Sequence, residues 1–105
     1  MTKFVAVTAC IAGIAHTYMA KANLEKFAKK NDIAIKVETQ GAMGLENRLS
    51  AQEIAEADVV IFAVDTNVAE RDRFEGKKIL EVSTSEVVKD GASTIQEAVE
   101  LSQGS

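Results

Sequence analysis

The chain carries one cysteine and one histidine, six positions apart in the stretch "ACIAGIAHTYMA". Cys10 closes an apolar run, Gly13 follows in a short loop, and His16 and Thr17 stand where a helical pattern begins. A loop that opens onto a helix leaves backbone N–H groups without partners inside that helix. Gly13 lets the loop curl without a Cβ clash. Successive N–H groups on such a curve, reinforced by the helix dipole, make a concave anion site. A dianionic phosphoryl group suits it, and the same field favours the thiolate of Cys10, the nucleophilic form of the side chain. His16 offers a ring donor to phosphoryl oxygens. Thr17 offers a hydroxyl donor or, more simply, an N-cap.

These residues leave several chemistries open. A lone cysteine is most often buried and inert, but this one sits between a strand and a helix rather than inside either. A cysteine phosphatase of the low-molecular-weight type places arginine at the sixth position after its cysteine, to clamp the phosphoryl group bidentately; here that position is His16. Such an enzyme also needs a carboxylic acid to protonate the leaving group and activate water, and Asp65 is the one acid the pattern brings near the loop. Without a water-activating base a phosphocysteine persists long enough to be passed on, which favours a carrier over a hydrolase. A binding module that transfers nothing is a further reading. A receiver-like domain needs acids at strand ends to hold Mg²⁺, and the first strand here ends in "TAC". Cys10 and His16 are the only thiol and imidazole ligands, so no metal is expected; nor does a phosphoryl carrier require an organic cofactor.

The elements that must position this loop follow from periodicity. Lys3–Thr8 reads as a strand buried on both faces. From about His16 to Lys30, Ala20, Leu24, Phe27 and Ala28 recur at helical spacing, with Lys21, Lys26, Lys29 and Lys30 opposite; Asn31 and Asp32 end the helix. Ile33–Thr39 alternates as a second strand, and Gln40–Gly44, "QGAMG", reads as a glycine loop. Ser50 with Glu53 is a capping-box signature for a short helix, Ala51–Glu56. Asp58–Val64 is the most apolar run and predicts the central strand. Asn67 with Glu70 predicts a helical turn reaching about Arg73, Lys77–Ser83 a fourth strand, and Ser93 with Gln96 the cap of a last helix. Met19 and Met43 read as packing residues, and Arg71, Arg73, Lys77 and Lys78 as a solvated basic face.

Strands alternating with helices predict a three-layer α/β fold: a four-stranded parallel sheet, order 2-1-3-4, with helices on both faces. The chain reverses direction beside the first strand, and ligands in such sheets bind at that switch point, beyond the carboxyl ends of the strands. At 105 residues, with 47% hydrophobic and 27% charged side chains, one domain spanning 1–105 is expected. A net charge of −4 disfavours nucleic acid as a partner. A single cysteine predicts the reducing cytoplasm, "MTKF" lacks a signal-peptide pattern, and no apolar run reaches membrane-span length.

Three collinear motifs, "AVTAC-x-x-GIAHTYMA", "IKVETQGAMG-x-EN" and "ADVVIFAVD", resemble the fructose-specific enzyme IIB domain of the bacterial sugar phosphotransferase system, over Lys3 to about Glu100. The resemblance implies a phosphotransferase subunit. Cys10 would take a phosphoryl group from a phosphohistidine on a IIA protein or domain, and pass it to a fructose-like sugar held by a membrane-embedded IIC partner. It implies a phosphate-binding loop of Ile11, Ala12, Gly13, Ile14, Ala15, His16 and Thr17, with Gln40 and Gly41 of "ETQGAMG" on the sugar-facing or partner-facing side. It also implies a cytoplasmic location at the inner membrane face. The family typically reads "CPTG" where this chain reads "CIAG". Ile11 thus replaces a proline that would fix φ, and Ala12 replaces a threonine hydroxyl, while the backbone donors survive. Ile11 and Ile14 would supply an apolar rim for the IIA donor.

Overall fold

The computed structural model describes residues 2–9, 14–41, 44–65, 68 and 70–104. It contains strands β1 (Lys3–Ala9), β2 (Ala34–Gly41), β3 (Gly44–Glu46), β4 (Val59–Val64) and β5 (Ile79–Val82). The helices are α1 (Ile14–Lys30), α2 (Ala51–Glu56), α3 (Thr84–Lys89) and α4 (Gly91–Gly104), with one 3₁₀ helix, Arg71–Phe74. The sheet order is β3-β2-β1-β4-β5. β1 pairs in parallel with both β2 and β4, and β4 with β5. The four parallel strands therefore follow the expected 2-1-3-4 order. The sheet as a whole corrects that expectation: it has five strands and is mixed, because β3 adds to the β2 edge antiparallel, with Gly41 opposite Gly44 and Thr39 opposite Glu46. Three residues are too short to show a period, so "QGAMG" reads as a loop although its two glycines pair across a hairpin.

β1 and β4 are buried along almost their whole length because each face of the sheet carries its own core. On one face Phe4, Ala6, Val37 and Ile61 meet Leu24 and Ala28 of α1 and Ile95 and Ala98 of α4. On the other, Val7, Val60 and Phe62 meet Leu49, Ile54 of α2 and Phe74 of the 3₁₀ helix. The Phe62 and Phe74 rings lie edge to face with centroids 5.1 Å apart, a geometry that aromatic quadrupoles favour.

The helix starts show both success and correction. Ser50 and Glu53 form the anticipated reciprocal cap of α2. α3 went unread, because its N-cap Ser83, which accepts from the Glu86 N–H at 3.1 Å, directly follows an apolar strand. α4 begins at Gly91 rather than after Ser93; the Asp90 carboxylate accepts from the Ser93 N–H at 3.1 Å, so Asp90 supplies the cap. The turn before Arg73 is 3₁₀, and Glu70 precedes it in the left-handed region with φ 57° and no side-chain cap. Asn67, the expected cap, lies outside the described residues.

Candidate functional site

β1 ends at Ala9 and α1 begins at Ile14, so four residues join the central strand to a 17-residue helix. Those four, Cys10, Ile11, Ala12 and Gly13, lie outside the described residues, as does Met43. Ile14, Ala15 and His16 form the first turn of α1; their side chains are likewise outside the description. Thr17 is the fourth residue of the helix and 5% exposed. It is therefore not the N-cap that sequence position favoured, since the helix starts three residues earlier. The first-turn N–H groups of α1 have no acceptor within the helix, and its dipole places partial positive charge there.

The carboxyl ends of β1, β2 and β4 converge around Ala9. In register, Ala9 lies opposite Gln40 on one side and Val64 on the other, and its carbonyl accepts from the Asp65 N–H at 2.9 Å. The Asp65 carboxylate turns to the start of α3, accepting from the Thr84 N–H at 3.2 Å and from the Thr84 hydroxyl. The candidate acid thus stands next to the loop but is engaged in capping. Thr8 and Thr39 pair across β1 and β2. They are buried, and among the described residues neither hydroxyl has a hydrogen-bond partner. By strand alternation both face α1, as Ala6 and Val37 do two residues earlier.

On the opposite face Gln40 and Glu38 stand two residues apart, both buried. Gln40 Nε2 donates to Glu38 Oε2 at 2.8 Å. Glu38 also accepts from Arg73 Nη1 and Nη2 at 2.9 and 2.8 Å and from the Leu49 N–H at 2.9 Å. Burial pushes the Glu38 carboxyl up, but the bonds from Arg73, Gln40 and Leu49 outweigh it and hold the group below the usual carboxylate range. Arg73 therefore belongs to a buried ion pair, not to a solvated basic face. Its neighbour Arg71 is exposed and pairs with Glu81 at 3.2 Å. The sequence offered one signal for Glu38, the polar run Glu38-Thr39-Gln40 ending a strand; its partner 35 positions away had none.

Gly41 lies next to Gln40 and pairs with Gly44. Tyr18 and Met19, in the second turn of α1, are 42% and 49% exposed, so Met19 is not the packing residue expected of it. The Tyr18 hydroxyl donates to the Glu46 carboxylate of β3, and that bond, with smaller contributions from burial and the Glu46 charge, raises its pKa. α1 is thereby tied to the β2–β3 hairpin beside the switch point. The described residues thus bring a helix N-terminus, where anions are favoured, together with the ends of β1, β2 and β4.

A family profile described as "PTS system, Lactose/Cellobiose specific IIB subunit" matches residues 5–97. The chain is 52% identical over 89 residues to the "PTS system fructose-like EIIB component 2" of Escherichia coli, covering 85% of this chain and 84% of that one. It is 40% identical over 99 residues to fructose-like EIIB component 1 of the same organism, covering 94% and 92%. Among solved structures, a domain from the fructose-specific IIABC component of Borrelia burgdorferi superposes with a TM-score of 0.88 at 47% identity, covering 92% of each chain. An enzyme IIB subunit of the phosphotransferase system from Escherichia coli superposes at 0.89 with 40% identity, covering 95% and 93%.

Proposed function

We propose, for a chain that belongs to the enzyme IIB family of the sugar phosphotransferase system, that it is a phosphoryl carrier using Cys10 as nucleophile. A thiolate at Cys10 attacks the phosphorus of a phosphohistidine on a IIA protein or domain. The S–P bond forms, the P–N bond breaks, and the imidazole leaves as the neutral ring, taking up a proton from solvent. A hydroxyl of the sugar bound by a IIC transporter then attacks the same phosphorus; the S–P bond breaks and a sugar phosphate forms, the hydroxyl proton passing to solvent. The amides of Ile11 to His16 would cradle the group, with His16 and Thr17 as side-chain donors and Gln40 and Gly41 on the sugar-facing or partner-facing side. Transfer is expected to persist without the proline and threonine that Ile11 and Ala12 replace, because a cradle of main-chain donors would not depend on either side chain.

What carries the reading is the joint between the central strand and α1: four residues, the first of them the only cysteine, at the switch point of a doubly wound sheet. The names of the relatives support a fructose-like sugar. Among the described residues no helix is long and apolar enough to cross a membrane. That agrees with a cytoplasmic domain meeting IIC at the inner face. Asp65 is occupied by Thr84, which favours a lasting phosphocysteine over hydrolysis.

The test is incubation with a phosphorylated IIA protein followed by intact-mass and peptide spectrometry. One phosphoryl group on Cys10, absent in Cys10→Ser, is expected. Comparable stable labelling of Cys10→Ser overturns the nucleophile, and repeated turnover of p-nitrophenyl phosphate would mark a phosphatase instead.

A further inference from the structure

Among the described residues Glu38 is the only charged residue in the buried set. Removing a carboxylate from water is costly, and an ion pair that only holds a fold together can usually be exchanged for apolar side chains without loss. Glu38 therefore calls for a reason beyond stability. Its surroundings supply one. Arg73 grips both of its oxygens, and itself donates to the Leu49 carbonyl at 3.3 Å and, through Nε, to the Glu70 carbonyl at 3.1 Å. The pair is thus anchored to the segments that precede α2 and the 3₁₀ helix. Glu38 also accepts from the Leu49 N–H and from the side-chain amide of Gln40, the register partner of Ala9.

The geometry points to Glu38 and Arg73 as positioning residues for the phosphoryl transfer proposed above, acting through the side-chain amide of Gln40 beside the end of β1. The inference rests on the carrier reading. Its physical content is orientation. An ionised carboxylate only accepts, and an amide has one donor end and one acceptor end. With the Gln40 nitrogen held 2.8 Å from Glu38, a flip would set two oxygens against each other. The amide is therefore held in a single sense, in the residue that pairs with Ala9 at the end of β1. Arg73 keeps Glu38 ionised and in place, which keeps that sense fixed.

The experiment replaces the pair together, Glu38→Leu with Arg73→Met, so that no buried charge is left alone. It compares this variant with Gln40→Leu and with the triple variant. Transfer from a phosphorylated IIA protein onto the whole chain is followed at varied donor concentration. The pair replacement and Gln40→Leu are each expected to lower the rate at saturating donor by about tenfold or more, since small misplacements near reacting atoms have large effects. The half-saturating donor concentration stays unchanged, and the triple variant is no slower than Gln40→Leu alone. A triple variant slowed by the product of the two effects overturns the relay, and so does a pair replacement at wild-type rate. If the wild-type chain accepts no phosphoryl group, the carrier reading fails, and the orienting role is decided by NMR. Gln40 side-chain amide protons protected from solvent exchange in the wild type and exposed in the pair replacement support it; equal protection in both refutes it.

Discussion

Gly91 opens α4 against the flank of α1, and replacing it with alanine tests how tightly the site-bearing helix is held. A Cβ there would lie 2.9 Å from Phe27 Cδ2, 3.1 Å from Asn23 Cβ and 3.2 Å from Phe27 Cε2. Carbon pairs rest at about 3.5–4.0 Å. The half-buried Phe27 ring can turn aside, but Asn23 Cβ moves only with the backbone of α1. The Asn23 amide is moreover pinned, donating to the carbonyls of Val87 and Val88 at 2.9 and 3.0 Å. The first turn of α4 must then retreat by roughly 0.4 Å to reach ordinary contact. Overpacking of this kind costs about 1–3 kcal/mol. Against it stands the gain from removing a helical glycine, at most about 1 kcal/mol. The expected net effect is a loss of about 1 kcal/mol, read in urea as a midpoint lowered by roughly 0.5 M with unchanged m. A Phe27→Leu background should relieve part of the loss, because the ring supplies two of the three contacts. A midpoint at or above wild type would show slack between α1 and α4 and refute the packing argument.

Asp65→Asn should leave the rate of labelling by a IIA donor near wild type and lower stability by about 1 kcal/mol through the weakened Thr84 contact. A longer-lived phosphocysteine in this variant would instead make Asp65 a water activator. Because Glu38 is held below the ordinary glutamate value of 4.5, the unfolded chain binds its proton more readily than the folded one. Its contribution to stability is thus present above that value and fades as pH falls toward the folded pKa. Urea midpoints measured from neutral to acid pH should fall more steeply in wild type than in Glu38→Gln, and parallel curves would contradict the assignment. Ser50→Ala removes one half of the α2 capping box and should cost about 1 kcal/mol, seen as a lowered thermal midpoint.

The parts of the fold that were legible in the sequence are those governed by local pattern. The apolar runs of β1 and β4 announce strands covered on both sides, and Ser50 with Glu53 announces α2 because a capping box is complete within four residues. The order of the parallel strands followed from alternation alone. β3 escaped because it is shorter than any period, and α3 because Ser83 ends one element's pattern while capping the next. For the site, the placement of Asp65 near the loop came from topology, and that of Gln40 from the family resemblance. The Arg73–Glu38 pair was out of reach, since its partners are 35 positions apart and each reads locally as solvent-facing. Thr17 was misplaced because the helix begins three residues earlier, at Ile14, and element boundaries are the least legible feature of a sequence.

The two sides of the sheet are unequally armoured. Among the described residues, one carries α1, α3 and α4; the other carries the six residues of α2 and the four of the 3₁₀ helix. Helices that short have little hold of their own, so the thinner side should be the first to let go in native-state hydrogen exchange, as a cooperative unit distinct from the strands beneath it. Arg73 is the bolt of that unit, joining its 3₁₀ helix to the Leu49 carbonyl ahead of α2 and to Glu38 in β2. Loss of that bolt would bring the carboxylate it guards into water while the strands stay paired, a partly open form that hydrogen exchange would register as early protection loss in α2 and the 3₁₀ helix.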